Sequence, residues 1–479
     1  MSEPCALSGD TLRPAGLPGP DLYTHDTSGG ELTVLTKTAD LTWLQRVKND
    51  LRTRFIDGFT PVFFASVMGT GMSANLLYNF PYPAHWLQVC GIIMALVGLL
   101  IFIVLSTFFA LALISRPGLF SKIHRDPALA PAMGCFVMGY TTLITFLHGV
   151  LGRRWIIGVW VLWWIVVFGS FYTSIVTFYF SLMAKHRRSK NIIEHASLSM
   201  QYLLPVVTLT VAASLGGIIT ADLPATRDKI ATMVVTLVMW AIAMLLASII
   251  VTINFWRIFV HKIPHSGQVL TMFLPIGFVG QGAYAILLFA QNSLELLLSH
   301  HSVVADSAYV SFLGQTALKN DVATTDLALI MSTAIMVVCA LVAFMLMAFG
   351  FLLTVFAYMA LFSKMAPFAK KRNHAFLYST QSSLRLKRIF VGLMRFQRGF
   401  WLMTFPIGTM SLATHHFYSL YHGFSAFRVV ATIYAMLVII TTLGCLVGVV
   451  YRGVTICTRA IDRGEKAGNE KVEATQESV

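Results

Sequence analysis

Apolar stretches long enough to cross a lipid bilayer recur along most of this chain, and that recurrence decides its fold class. A helical crossing needs roughly 20 apolar residues for about 30 Å of hydrocarbon, and a helix satisfies its backbone hydrogen bonds within the segment. Hydropathy places such spans near 59–79, 86–114, 131–151, 154–184, 199–221, 229–259, 267–298, 327–362, 399–419 and 427–457. The expected class is all-α integral membrane, with ten transmembrane helices. Charged residues make up only 12% of the chain against 56% apolar, which excludes a soluble domain with a charged surface.

The polar segments fix the orientation. With the N-terminus inside, cytosolic segments carry 29 of the 35 Lys and Arg, including Lys185-His186-Arg187-Arg188, Lys370-Lys371-Arg372 and the stretch from Arg385 to Arg398. The opposite side holds Arg153, Arg154, Arg227, Lys229, Lys319 and Arg428. Such a bias puts both termini in the cytosol, and it accounts for the net charge of +14 with no nucleic-acid partner. The expected organisation is a disordered cytosolic tail over 1–54, a ten-helix transport domain over 55–457 and a cytosolic tail over 458–479. No cleaved signal is expected, because the polar N-terminal stretch lacks a basic n-region followed by an apolar h-region. Cys5, Cys90, Cys135, Cys339, Cys445 and Cys457 have neither CxxC nor metal-ligand spacing, so no disulfide framework, metal or other cofactor is called for.

A repeat is written in proline. Pro61, Pro131, Pro205, Pro275 and Pro406 fall in the cytosolic halves of the odd-numbered spans, at intervals of 70, 74, 70 and 131. Two polar inserts, 299–326 and 363–398, lie in the last interval and reduce it to 67 when removed. Five helical hairpins of about 70 residues follow, in a quasi-fivefold arrangement about an axis along the membrane normal. Pro61 and Pro131 suit either a first helical turn or a kink, whereas Pro205, Pro275 and Pro406 stand deeper in their apolar runs and predict kinks. Carbonyls freed at membrane depth need burial in protein or a watered cavity, which points the odd helices at a central pore. The even spans are longer and more apolar, as lipid-facing helices should be.

Within the odd spans the polar residues are nearly all neutral. Thr70, Ser73, Asn75, Thr142, Thr208, Ser214, Gln281 and Thr409, with Gly71, Gly139, Gly280 and Gly408, are the candidates for lining a pore and contacting an anion. Hydroxyls and backbone N–H groups near helix breaks can replace the hydration of an anion without trapping it. The same lining would suit ammonia, urea or water, and the glycines would equally serve close helix packing. Lys, Arg and carboxylates are missing at mid-depth in these spans, which argues for a channel-like or uncoupled pathway and against a proton-coupled pump, and no enzyme is expected. His148, His415 and His416 are the titratable exceptions, readable as hydrogen-bonded interfacial residues, proton sensors or haem ligands.

The stretch from Val67-Met68-Gly69-Thr70-Gly71 through Asn79-Phe80-Pro81-Tyr82 resembles the first-span signature of fungal sulphite efflux pumps. These belong to the tellurite-resistance/dicarboxylate transporter family, with the plant guard-cell slow anion channels and fungal malate permeases. Met138-Gly139-Tyr140, Trp160-Val161-Leu162-Trp163-Trp164, Leu204-Pro205 through Ser214-Leu215-Gly216-Gly217 and Thr404-Phe405-Pro406-Ile407-Gly408 extend the likeness in order over about 55–457. The resemblance implies five hairpins with kinked odd helices around a pore in every protomer, usually of a trimer. It implies plasma-membrane efflux of sulphite or hydrogensulphite, with a malate-like dicarboxylate permease as the alternative. It also implies a phenylalanine beside the ninth-helix proline that plugs the pore, here Phe405. In one place the chain departs from the pattern: Ile165-Val166 follow the paired tryptophans where the family often has an acidic residue.

Overall fold

The computed structural model describes Arg52, Ile56, residues 58–184, His195 and residues 198–264, 267–299, 324–364, 398–421 and 424–476. The expected tail over 1–54 falls almost wholly outside the described residues, as do the basic clusters at 185–188, 370–372 and 385–397. Residues Arg54–Arg452 form one compact unit, while Met1–Thr53 and Gly453–Val479 group into another. The α-helices are α1 (Ala65–Tyr78), α2 (His85–Ser115), α3 (Leu119–Arg125), α4 (Met133–Leu151), α5 (Ile156–Phe171) and α6 (Leu204–Thr220). They continue as α7 (Thr226–His261), α8 (Leu274–Ser299), α9 (Thr324–Ser363), α10 (Trp401–Leu420) and α11 (Ser425–Gln476). Among the described residues there is no strand.

Among the described residues, seven stretches are long and apolar enough to cross a membrane: His85–Ser115, Ala130–Met183, Met200–Thr220, Thr226–His261, Val269–Ser299, Ala328–Ser363 and Ser425–Thr455. Ala130–Met183 holds both α4 and α5, parted by a 3-10 turn at Gly152–Trp155, so it covers two of the ten expected spans. Gly152 ends α4 with a positive φ of 54°, a conformation that favours glycine. Helices α1 and α10 form where the first and ninth spans are expected, yet they are outside the seven, because Gly, Ser, Thr, Asn and His dilute their hydropathy. Burial separates two kinds of helix. The apolar windows of Met200–Thr220 and Val269–Ser299 are 94% and 89% buried, against 28–33% for those containing α2, α7, α9 and α11. Twelve of the fourteen residues of α1 are also buried.

The buried helices touch in a cycle: α1 packs on α4, α4 on α6, α6 on α8, α8 on α10, and α10 returns to α1. Glycine makes the close approaches. A Cβ on Gly71 would overlap Thr142, one on Gly134 would overlap the Leu204 carbonyl, one on Gly217 would meet Leu288, one on Gly280 would overlap Thr409 and one on Gly408 would overlap Met72. Each seam of the cycle thus contains a position where any larger residue must displace a neighbour. The paired positions also fix direction. Gly139 faces Val67 and Gly71 faces Thr142; Gly277 faces Pro406 and Gly280 faces Thr409; Gly69 faces Thr404 and Gly408 faces Met72. Numbers rise together across these seams, so the helices run parallel.

The other helices lie against this cycle, α2 on α1, α5 and α7 on α6, and α9 on α8. Their polar contacts reach inward: Trp163 Nε1 donates to the Ala212 carbonyl and Trp240 Nε1 to the Gly282 carbonyl, both at 2.9 Å. Ser411 Oγ donates to the Ala431 carbonyl at 2.8 Å and joins α10 to α11. Away from these contacts the outer faces are strongly apolar, with Leu100, Phe168, Leu245 and Phe259 all more than 60% exposed. Such faces suit hydrocarbon as their solvent.

The prolines depart in part from the expected kinks. Every buried helix is preceded by a 3-10 turn, at Pro61–Phe64, Ala130–Ala132, Met200–Leu203, Val269–Phe273 and Arg398–Phe400. Pro61 and Pro131 stand within these turns, while Pro205 and Pro275 occupy the second residue of α6 and α8. At these positions the missing N–H has no α-helical partner to lose, so what marks Pro205 and Pro275 is a change of helix type. Pro406 alone among the five stands inside an α-helix.

The seams generate a stability prediction. Gly280→Val should lower the stability of the detergent-solubilised protein by about 1–3 kcal/mol through overpacking. Gly118→Ala, where no atom lies within 4 Å of a new Cβ, should not. Thermal unfolding followed by intrinsic fluorescence checks both.

Candidate anion pathway

All five buried helices contribute to one small cavity. Met68 comes from α1, Met138 from α4, Leu204 and Val207 from α6, Leu274 and Gly277 from α8, and Leu402, Phe405 and Pro406 from α10, with Leu203 from the turn before α6. Its volume is ≈ 10 Å³, room for about one water. The Phe405 ring is 2% exposed and is among the largest fully buried side chains. Apart from the glycine, every lining side chain is apolar, so the structure has a dry constriction where the five helices meet. Hydrophobic constrictions of this kind stop ions by excluding water.

Sequence reasoning missed most of this lining. Met68, Met138, Leu204, Val207 and Leu274 look like any other membrane methionine, leucine or valine. Their one signal is spacing: each stands close to the proline or glycine of its own repeat.

The polar candidates are placed differently from expectation. Ser73 Oγ donates to Thr442 Oγ1 of α11 at 2.7 Å, so its hydroxyl is turned to an outer helix. Thr208 Oγ1 lies 3.0 Å from Thr173 Oγ1, in a π-helical turn at Tyr172–Thr177 that prolongs α5, and also donates to the Pro205 carbonyl at 2.6 Å. Thr70 packs against Gly98 of α2 and donates to the Ser66 carbonyl at 2.9 Å. Thr142 and Thr409 give their protons to the carbonyls of Gly139 and Pro406, at 2.8 and 2.7 Å. A buried hydroxyl in a helix takes the backbone carbonyl three or four residues back, because no water competes for it.

Gly71, Gly139, Gly280 and Gly408 all stand at the helix seams. The remaining candidates join neighbouring helices. Asn75 Nδ2 donates to the carbonyls of Gly71 and Thr142 at 2.8 and 2.9 Å, bridging α1 and α4. Gln281 Nε2 donates to Ser214 Oγ, bridging α8 and α6.

Helical phase puts Asn75, Ser214 and Gln281 on the cavity side. They follow Met68, Val207 and Gly277 by seven, seven and four residues, which returns each to the face of its cavity-lining predecessor. A polar layer therefore lies one to two turns beyond the constriction, away from the proline-bearing helix starts.

Charged groups collect at the two ends. Beyond the C-terminus of α4, Asp222 accepts from Arg153 Nε at 2.7 Å and lies 3.1 Å from His148 Nε2. The hydrogen-bonded reading of His148 matches this geometry. A polar cavity of ≈ 340 Å³ sits at the same end, where Lys229 Nζ stands 3.5 Å from Glu295 Oε1. At the opposite end the Arg257 guanidinium, 7% exposed, lines a cavity of ≈ 10 Å³ with Ser199, Asn254, Gln268 and Thr271. Arg257 is a buried cation that hydropathy concealed inside the long α7. Of the fourth-span pair that lacks the acidic residue, Ile165 is 55% exposed and Val166 is buried, so the departure covers one outward-facing and one inward-facing position.

A family model described as SLAC1, voltage-dependent anion channel, matches residues 58–450. The chain belongs to that family. It is 34% identical over 407 residues to the sulfite efflux pump SSU1 of Candida albicans, covering 82% of this chain and 74% of that protein. The sulfite efflux pump SSU1 of Saccharomyces cerevisiae is 29% identical over 423 residues, covering 81% of this chain and 86% of its own length. That of Arthroderma benhamiae is 32% identical over 239 residues, 48% of this chain and 61% of that protein. Family and relatives support a multi-span membrane protein of anion efflux, as the sequence resemblance implies.

The SLAC1 match makes hydroxyl placement testable by transport. Ser73→Ala should leave anion flux in liposomes within about twofold at equal abundance, since the hydroxyl's one hydrogen bond among the described residues runs to an outer helix. A collapse of flux in well-folded protein would return this hydroxyl to the pathway.

Proposed function

We propose that this protein exports sulphite or hydrogensulphite across a fungal-type plasma membrane, through a central pathway in each protomer bounded by α1, α4, α6, α8 and α10. Ten spans, in five hairpins with both termini cytosolic, form the transport domain over 55–457. The protomers form a homo-oligomer, a trimer by family resemblance. The observation that carries the reading is the convergence of five parallel buried helices on one apolar constriction that includes Phe405.

Phe405 is the gate. Its ring lines the cavity where the five helices meet, and Pro406, the next residue of α10, leaves the Leu402 carbonyl without its helical N–H partner. A ring beside a proline can swing with a small change in the local helix, whereas the glycine-locked seams stay fixed. Thr70, Gly71, Ser73, Gly139, Thr142, Thr208, Gly280, Gly408 and Thr409 support the walls of this path. Asn75, Ser214 and Gln281 face it.

Sulphite is favoured over malate by charge, because near neutral pH it is present in part as the monoanion hydrogensulphite. A dicarboxylate permease needs cations along the path to balance two carboxylates, and among the described residues no Lys or Arg lines the constriction. The sulphite efflux relatives match most of this chain and support the same choice.

The test is flux of sulphite from liposomes containing the purified protein. Phe405→Ala should conduct several-fold more than the parent at equal incorporation; equal or lower flux in folded protein would remove Phe405 as the gate. Malate loaded at the same concentration should leave far more slowly than sulphite.

A further inference from the structure

Gln281 is 3% exposed, and its amide makes one hydrogen bond, from Nε2 to Ser214 Oγ. Ser214 has a single proton and gives it to the Val211 carbonyl at 2.9 Å. Toward Gln281 that hydroxyl can therefore only accept, and the amide nitrogen has to face it. The other orientation would set two acceptors against each other, so the hydrogen-bond network assigns which amide atom is which. Oε1 is turned away from Ser214 and has no hydrogen-bond partner among the described residues.

A buried carbonyl oxygen without a donor is costly, and such groups in native proteins call for an explanation. Position supplies one. Gln281 lies one helical turn beyond Gly277, which lines the constriction, and on the same face. The surrounding donors are already committed. Asn75 Nδ2 serves Gly71 and Thr142, Thr142 serves Gly139, and Thr210 serves Val207. On this side of the constriction the amide thus offers an unmatched acceptor, with one Nε2 proton left over from the bond to Ser214 as the donor beside it. His416 Nε2 is a second buried atom without a partner, eleven residues beyond Phe405 on the same face of α10, with its ring edge-on to Tyr284 at 5.4 Å.

An acceptor is complementary to a solute that brings its own O–H. Hydrogensulphite has one; the sulphite dianion has none and would meet the amide oxygen as a repelling partner. We infer that Gln281 Oε1 accepts a hydrogen bond from the hydroxyl of a protonated oxyanion, and that the pathway thereby takes hydrogensulphite in preference to the dianion. This rests on the proposed sulphite export and adds the charge form and the residue that reads it. The protein acts here by exclusion as much as by attraction, because a species lacking the donor leaves the carbonyl unpaired.

The experiment compares two monoanions through the same purified full-length protein in liposomes, at one mildly acidic pH so that no protein group changes its charge between measurements. Hydrogensulphite carries an O–H and nitrate does not. Flux in protein-free liposomes is subtracted from each. Gln281→Met keeps the bulk and removes the acceptor, and should lower the hydrogensulphite-to-nitrate flux ratio about tenfold, as loss of one hydrogen bond to a charged solute would. Ser214→Ala removes the hydroxyl that orients the amide and should lower the ratio in the same direction by less. A ratio unchanged in both variants overturns the inference. Should Gln281→Met fail to reach the membrane, the Ser214→Ala ratio decides alone. A parent protein that passes nitrate but no sulphite overturns the export reading as well, a result distinct from an unchanged ratio.

Discussion

Contact between parallel helices at glycine is the constraint on which the rest of this structure depends. Lipid supplies no hydrophobic drive for helices to associate, so they must gain by close packing and by hydrogen bonds. Gly71, Gly134, Gly217, Gly280 and Gly408 each admit a neighbour to the space a side chain would fill, one at every seam of the cycle. Only with all five seams closed do Met68, Met138, Val207, Gly277 and Phe405 arrive at one cavity. The cycle is therefore the precondition for a constriction, and the SLAC1 match to residues 58–450 spans all five of its helices.

Around this cycle the outer helices have a different task. They give apolar faces to hydrocarbon and spend their few polar groups inward, as Trp163 and Trp240 do on carbonyls of α6 and α8. Most buried hydroxyls are likewise spent on backbone carbonyls, which leaves a largely apolar interior poor in free donors. An anion crossing such a protein meets few fixed positive dipoles from side chains. Weak binding of this kind suits export, because a solute that is not held can leave.

The fold was legible wherever physics acts through length and repetition. Hydropathy located ten of the eleven described α-helices, but it missed the short α3 and ended the last span at 457, where α11 runs on to Gln476 through the expected C-terminal tail; the proline spacing singled out the segments that begin at Pro61, Ala130, Met200, Val269 and Arg398 with a 3-10 turn. The distinction between long apolar and short polar spans anticipated which helices are buried. Side-chain direction was not legible. Ser73 and Asn75 are two residues apart and equally polar, yet one turns to Thr442 on α11 and the other bridges to α4. Composition cannot separate them, since both satisfy the rule that polar groups avoid lipid. The apolar constriction was hidden for the opposite reason, because a methionine facing the axis and one facing lipid read alike. Pro205 and Pro275 seemed interior because hydropathy counts the 3-10 turn as part of the helix.

The central claim is that Met68, Met138, Val207, Gly277 and Leu402 border one shared anion path. Cysteine placed singly at each position tests it most directly, in a Phe405→Ala background with the six native cysteines replaced. A charged, thiol-specific reagent is added to liposomes while sulphite efflux is followed, with cysteine at lipid-facing Leu100 and Leu245 for comparison. The account predicts block of flux from all five cavity positions and none from the two comparison positions. Undiminished flux after complete labelling at the five would contradict it.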